Sequence, residues 1–236
     1  MAADHTHAVL QAVAEAGSRD ETTSIVDWVC SAAVALLSLE GAGVSLMVDG
    51  ELRGVAGVSD PGIALVQELH LSLGEGPCVG AWETRAPVIE GELSALGGVR
   101  WPMFAPAAVE QGVSAVFAFP MALGRIRIGV LVLYRERAGG LSADELAYGL
   151  VLAGVATNMV LSLQAGAPSD ELHGMLAGEP PHWAEIHQAT GILSVQLGVS
   201  LEEAFVRLRA HAFAQNLSLG DVASQIVNRR LRLAPA

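Results

Sequence analysis

Between Ala165 and Pro181 the chain places Gly166, Pro168, Ser169, Gly174, Gly178, Pro180 and Pro181, and every periodic hydrophobic pattern stops there. Glycine and proline at that density interrupt helix and strand alike. The 236 residues therefore divide into a larger N-terminal part and a shorter C-terminal part, each obliged to close its own core. We read residues 1–165 as one domain, 166–181 as a linker and 182–236 as a second domain.

The C-terminal part carries three apolar stripes at helical spacing. The first is Ile186, Ala189, Leu193 and Leu197, closed by Gly198 as a C-cap residue. The second begins at Ser200, with Glu203 at the reciprocal capping position, and runs through Leu201, Ala204, Phe205, Leu208 and Ala212. The third begins at Ser218, with Asp221 three residues on, and runs through Leu219, Val222, Ala223, Ile226 and Val227. Three short helices with one stripe each must bury those stripes against one another, which predicts an all-α three-helix bundle.

Upstream of the linker the pattern alternates. Ile25, Val29, Ala32, Ala33, Leu36 and Leu37 predict a helix over 21–39. Strands over 43–48 and 51–58 flank Asp49-Gly50, a strong hairpin signal. Two more strands, 114–121 and 126–134, lie around Leu123-Gly124-Arg125. Ser142 and Glu145 then form a capping box for a long helix to about Gln164. Helix, hairpin, helical insertion, hairpin, helix is an α+β order built on an antiparallel sheet flanked by helices.

Composition suits a packed globular chain, with 52% hydrophobic and 16% charged residues. Residues 1–182 hold twenty-one carboxylates and eight arginines, a net −13, whereas 183–236 hold five arginines and four carboxylates, a net +1. Cys30 and Cys78 form no CxxC pair and no disulfide framework. The N-terminus lacks a signal-peptide pattern, and apolar stretches are broken by Gly, Arg or Asn before membrane-spanning length, so a soluble, cytoplasmic protein without membrane contact is expected. His5 and His7 are expected to be solvated, His70 has no partner at ligand spacing, and no metal site is expected. Gly74-Glu75-Gly76 lacks the context of a nucleotide-binding loop. With no triad order and no HExxH, no catalytic residues are assigned and no enzyme activity is expected.

The C-terminal segments Glu185–Leu193, Gln196–Ser200, Glu203–Arg209 and Leu219–Val227 resemble the ANTAR domain, a three-helix RNA-binding module of bacterial transcription antitermination regulators. The segments Leu73–Gly80 and Arg100–Phe104, with the strands after them, look like a GAF domain of the type joined to ANTAR modules in actinobacterial regulators. The resemblances cover roughly 180–232 and 8–164. They imply a signal-responsive regulator that binds paired stem-loops in nascent mRNA and, because two hairpins need two bundles, a homodimer. The helices 21–39 and 142–164 are the natural dimer surfaces, with ordinary core helices an equal reading of the same residues. RNA-contact candidates are His187, Gln188, Thr190, Arg207, Arg209, His211, Arg229 and Arg230, with Arg232 beside them, since arginine and amide side chains suit unstacked bases and phosphates. The chain departs from the family at Thr190, where a lysine is common, and at Ser194, where a methionine is common. The resemblance also implies a small-molecule pocket beside the sheet, of unknown ligand or cofactor, with Cys78, Trp82, Trp101 and Phe104 as lining candidates. Two other readings compete: a small-molecule-sensing or protein-interaction module whose bundle does not bind RNA, and a helix-turn-helix binding DNA. The long Phe213–Leu217 connection, without glycine, argues against the latter.

Overall fold

Asp49 and Gly50 adopt positive φ angles of 53° and 90° and reverse the chain between β1 (Gly41–Val48) and β2 (Glu51–Val58), as a tight two-residue hairpin requires. The computed structural model describes residues 2–19, 23–96, 99–166, 181–215 and 217–233. They fall into two units, Met1–Gly178 and Glu179–Ala236. The linker read over 166–181 lies outside the described residues except at its ends, where Gly166 and Pro181 belong to helices.

In the N-terminal unit β4 (Ala115–Leu123) and β5 (Ile126–Arg135) form a second hairpin. β1 pairs with β5, and a short β3 (Val88–Glu90), absent from the sequence reading, pairs with β4. The order is β2-β1-β5-β4-β3, antiparallel throughout. Alternation assigns the two faces. Phe117, Phe119, Met121, Leu131, Leu133, Ala42 and Val44 pack against α1 (Ala2–Arg19), α2 (Ile25–Leu37) and α6 (Ala143–Gly166). On the opposite face Gly43 and Ser45 meet α3 (Pro61–Leu73), and Met47 meets α4 (Pro77–Thr84), with α5 (Phe104–Glu110) packed on α3.

Local signals set the helix ends. Asp27 Oδ2 accepts from the Ser24 backbone N–H (2.9 Å) while Ser24 Oγ accepts from Asp27 N–H (3.1 Å), so the helix expected over 21–39 starts at Ile25. Asp27 Oδ1 also accepts from Val58 N–H (2.8 Å), tying α2 to the end of β2. The Ser142–Glu145 box forms as expected, with bonds of 2.6 and 3.2 Å. Helix α1 was not foreseen: its stripe is only Val9 and Val13 with alanines, too weakly apolar to declare itself. It half-buries His5, placing the ring edge-on to Tyr148 at 4.6 Å and 3.6 Å from Asp144. Helix α6 runs unbroken through the apolar stretch where the sequence pattern predicted interruption by Gly and Asn. Its segment Ala143–Leu163 has a mean hydropathy of 1.8 and is long enough to cross a membrane, yet Leu152, Ala153, Ala156 and Val160 join the core of this unit.

The C-terminal unit is three helices, α7 (Pro181–Leu197), α8 (Leu201–Gln215) and α9 (Leu219–Val227). Ser200 and Ser218 cap the second and third through bonds to Glu203 N–H (3.1 Å) and Asp221 N–H (3.0 Å), and Gly198 takes φ 65° after α7. The core joins Trp183, Ile186, Ala189, Leu193, Ala204, Phe205, Leu208, Ala212, Leu219, Val222, Ala223 and Ile226. Leu201, expected in it, is 58% exposed because it is the first helical residue after the cap. Leu197 and Val227 are half-buried at the helix ends.

Two glycines of α6 test this packing. A Cβ on Gly149 would lie 2.3 Å from the buried Phe119 ring, whereas one on Gly154 would meet nothing within 4 Å. Gly149→Ala is expected to cost about 1–3 kcal/mol by overpacking, and Gly154→Ala to add up to about 1 kcal/mol through helix propensity. Urea unfolding of both variants checks the opposite signs.

Candidate nucleic-acid interface and ligand site

The polar residues of the bundle divide by helical angle. On α7, His187 and Gln188 are exposed, but Thr190 is not: it is 6% exposed and its Oγ1 donates to the Ile186 carbonyl at 2.7 Å. Thr190 continues the row Ile186, Leu193, Leu197 of the core face, so it is removed from the RNA-contact set. Ser194, the other departure, donates to the Val199 carbonyl (2.7 Å) and fastens the α7–α8 turn.

On α8, Arg207 and Arg209 are two residues apart and project about 200° from one another around the axis. Arg207 Nη2 donates to Glu203 Oε1 at 2.6 Å, as the four-residue spacing allows. Arg209 lies with its guanidinium 5.3 Å from the centroid of the Phe205 ring. His211, half-buried, sits one turn after Arg207. These three side chains therefore do not form one surface.

The end of α9 assembles a different one. Asn228 N–H returns to the Ser224 carbonyl (2.9 Å), Arg229 turns into φ 59°, and Arg230 N–H reaches back to the Gln225 carbonyl (2.7 Å). The chain then runs beside α7, where Gln196 Nε2 donates to the Leu233 carbonyl at 2.8 Å. Between them lies an open groove of about 690 Å³ with Gly191, Ile192, Val195, Ile226 and Leu231 as an apolar floor. Arg229 and Arg232 stand at its rim, and Arg230 is exposed beside them. Gln188 lies one turn before Ile192 on the outward side of α7. Val195, 86% exposed, is an apolar side chain the bundle itself does not use. Sequence reasoning chose Arg229 and Arg230 by charge and missed the groove, because its floor joins residues some 35 positions apart.

In the N-terminal unit the four pocket candidates separate. Cys78 and Phe104 are fully buried around His70, a residue to which the sequence assigned no partner. His70 Nδ1–H donates to the Val66 carbonyl (2.8 Å), and Nε2 accepts from Cys78 N–H (3.1 Å), which fixes one neutral tautomer. Its ring lies 4.3 Å from that of Phe104. Burial pushes the imidazole down to about 3. Gly76, at φ 122°, leaves the room: a Cβ there would come within 2.7 Å of His70. Glu75 Oε1 accepts from the Met103 and Phe104 N–H groups (2.7 and 2.8 Å), capping α5 from a distant segment. The Gly74-Glu75-Gly76 string is thus a joint locking α3, α4 and α5 together. Beside it Gln67 Nε2 donates to Ser45 Oγ (3.1 Å), and its Oε1 is buried without a partner among the described residues.

Cys78 Sγ lies 3.7 Å from Met47 Sδ, and burial pushes its thiol up to about 12, so it stays protonated and is poorly suited to redox sensing. Trp101 is half-buried at φ 56°, with its ring edge-on to Phe104 at 6.4 Å and the Arg100 guanidinium 4.3 Å above it. Trp82, one turn beyond Cys78 on α4, turns to a separate cavity with the Arg127 guanidinium 4.4 Å over its ring.

Residues 182–227 match the ANTAR domain family. The N-terminal unit is similar to the GAF domain of a phosphoenolpyruvate-protein phosphotransferase from Acinetobacter, with 16% identity, 70% of this chain and 96% of that one covered, and a TM-score of 0.53. It is also similar to the GAF domain of the corresponding protein from Coxiella burnetii, with 14% identity, 68% and 96% coverage and a TM-score of 0.48. The curated proteins yield no significant match. The Acinetobacter likeness fixes the fold of the N-terminal unit as that of GAF domains and goes no further.

The His70 joint carries a pH signature. The unfolded imidazole titrates near 6.5 and the folded one near 3, so the unfolded state binds the extra proton between them. The contribution is fully present above pH 6.5 and is lost as pH falls toward 3. Denaturant titrations at pH 7.5 and 5.5 are expected to differ by about 1 kcal/mol more in the wild type than in His70→Gln.

Proposed function

We propose that this chain, which joins a GAF fold to an ANTAR domain, is a non-enzymatic, signal-responsive regulator that binds paired stem-loops in nascent mRNA and favours antitermination. The family match over 182–227 carries the reading, and the groove between α7 and the end of α9 gives it a surface. An apolar floor suits the face of an unstacked base, and Arg229 and Arg232 at the rim suit the phosphates on either side. Gln188 supplies amide hydrogen bonding at the same face. The α8 arginines are secondary, since one is paired and the other stacked.

The binding unit is a dimer of the full chain in the cytoplasm. On α6 the stripe of Leu150, Gly154, Asn158 and Ser162 is exposed, and Leu150 is 50% accessible. A third of its most apolar window is fully buried, and Val151, Val155, Met159, Leu161 and Leu163 pack half-buried against the core. Leu10 of α1, also 50% exposed, borders a shallow hollow formed with Ile25, Val155, Met159 and Leu163. Leu150 and Leu10 are the exposed large apolar side chains of α6 and α1 among the described residues, and a second copy of the chain about a two-fold axis is the occupant that would cover them. The signal is a small molecule taken up by the N-terminal unit.

Fluorescence anisotropy against a tandem stem-loop RNA, with single-hairpin and duplex-DNA controls, tests RNA binding. The tandem RNA should bind most tightly, and Arg229→Ala with Arg232→Ala should weaken it at least about tenfold, more than Arg209→Ala does. Equal binding to duplex DNA, or no binding at moderate salt, would sink the reading. Analytical ultracentrifugation tests assembly: Leu150→Glu should give a folded monomer that loses the preference for tandem over single hairpins.

A further inference from the structure

Of the eight arginines in residues 1–182, four lie within 4.0 Å of carboxylates: Arg19 with Glu15, Arg53 with Glu51, Arg135 with Glu145 and Arg137 with Glu40. Arg100 stacks on Trp101. The remaining three, Arg85, Arg125 and Arg127, pair with no carboxylate among the described residues, and all three line one cavity of about 160 Å³ at the β4–β5 hairpin. Residues 1–182 carry a net charge of −13, so carboxylates are abundant, yet none among the described residues pairs with these three.

Two backbone irregularities aim the arginines there. Met121 pairs with Gly129 and Ala122 with Arg127, so Ile128 is an extra residue in β5. The bulge keeps Ile128 in the core with Met121 and turns Arg127 to the opposite face, over Trp82. Arg127 Nη1 also donates to the Trp82 carbonyl at 3.4 Å. A guanidinium held by stacking and a hydrogen bond presents its free edge in a fixed plane. Arg85 closes α4 at φ 57°, a position where glycine is favoured, and it too lines the cavity. The third side, Arg125, follows Gly124 in the hairpin turn.

We infer that this cavity binds the phosphoryl group of a small anionic ligand, the signal the N-terminal unit would take up. Three guanidiniums match a tetrahedral dianion with several acceptor oxygens better than they match one carboxylate. The volume admits a phosphoryl group with little attached to it. The phosphate has two sources, a soluble compound or a lipid headgroup, the latter because Leu123 and Ile126 are 53% and 57% exposed at the hairpin tip. The inference rests on the sensor reading only for its consequence; the site belongs to the N-terminal unit and stands whether or not the bundle binds RNA.

Isothermal titration of the full-length protein with inorganic phosphate tests it, with acetate and chloride at matched ionic strength as controls. Saturable binding of phosphate, weakened at least about tenfold in Arg127→Gln, is expected. Arg85→Gly separates binding from folding: glycine suits φ 57°, so the melting temperature should hold or rise while phosphate affinity falls. A parallel arm uses vesicles of phosphatidylcholine with and without phosphatidylglycerol. Arginine-dependent binding to free phosphate assigns a soluble ligand, and arginine-dependent binding to the anionic vesicles alone assigns a headgroup. Binding to neither, or binding unchanged in both variants, overturns the site.

Discussion

Burial of the central strands on both faces is the constraint on which the N-terminal unit depends. Residues 115–119 of β4 and 128–134 of β5 are buried without a break, so neither face of the sheet is left to water. The polar groups on the α3 face then turn to internal partners, with Gln67 Oε1 the exception among the described residues. Gln67 takes Ser45, and His70 spends both nitrogens on backbone groups of α3 and α4. Glu75 satisfies the start of α5. These bonds join the segment between α3 and α4 to both helices and to α5 around His70. The same helix α4 carries Cys78 into that interior and, a turn later, brings Trp82 to the β4–β5 hairpin where the arginines gather.

What could be read from the sequence is what neighbours in sequence decide. The Asp49-Gly50 hairpin, the Ser24, Ser142, Ser200 and Ser218 caps and the three stripes of the bundle all rest on residues within one or two turns of each other. Helix α1 escaped because alanine carries most of its buried face, and β3 because three residues make no period. His70 escaped for another reason: its partners Val66 and Phe104 lie 4 and 34 positions away, and only folding brings the latter over its ring. Thr190 was legible and misread. Its spacing from Ile186 and Leu193 marks the core face, but its hydroxyl and the family resemblance suggested a surface role. Angle around the helix decides such cases before residue type does.

Arginine placement shows the same rule in both units. A charge count treats thirteen arginines alike. The structure sorts them into those that answer a carboxylate, those that lie on a ring, and those left facing open space. In the bundle that sorting moves the interest from α8 to the segment after α9, beyond the residues the family match covers. In the N-terminal unit it isolates the hairpin cavity, and the Ile128 bulge is the device that makes it, because an uninterrupted strand would send Arg127 to the α6 face.

The weak charge of the bundle bears on why the chain would act in pairs. A net +1 over 183–236 offers few phosphate contacts, and each such contact adds only one step to a salt-dependent affinity. One groove on one hairpin is then a weak complex at cellular salt. Two bundles joined as proposed would face a tandem site as a single ligand, and the second contact would form at the effective concentration set by the tether, a gain of roughly 10²–10⁴. On the proposed function that gain would exist only while both copies are held together, so discrimination between one hairpin and two would reside in the contact around Leu150 as much as in the groove. On this reading the exposed Leu150 of α6 and the weak charge of the bundle are two halves of one arrangement.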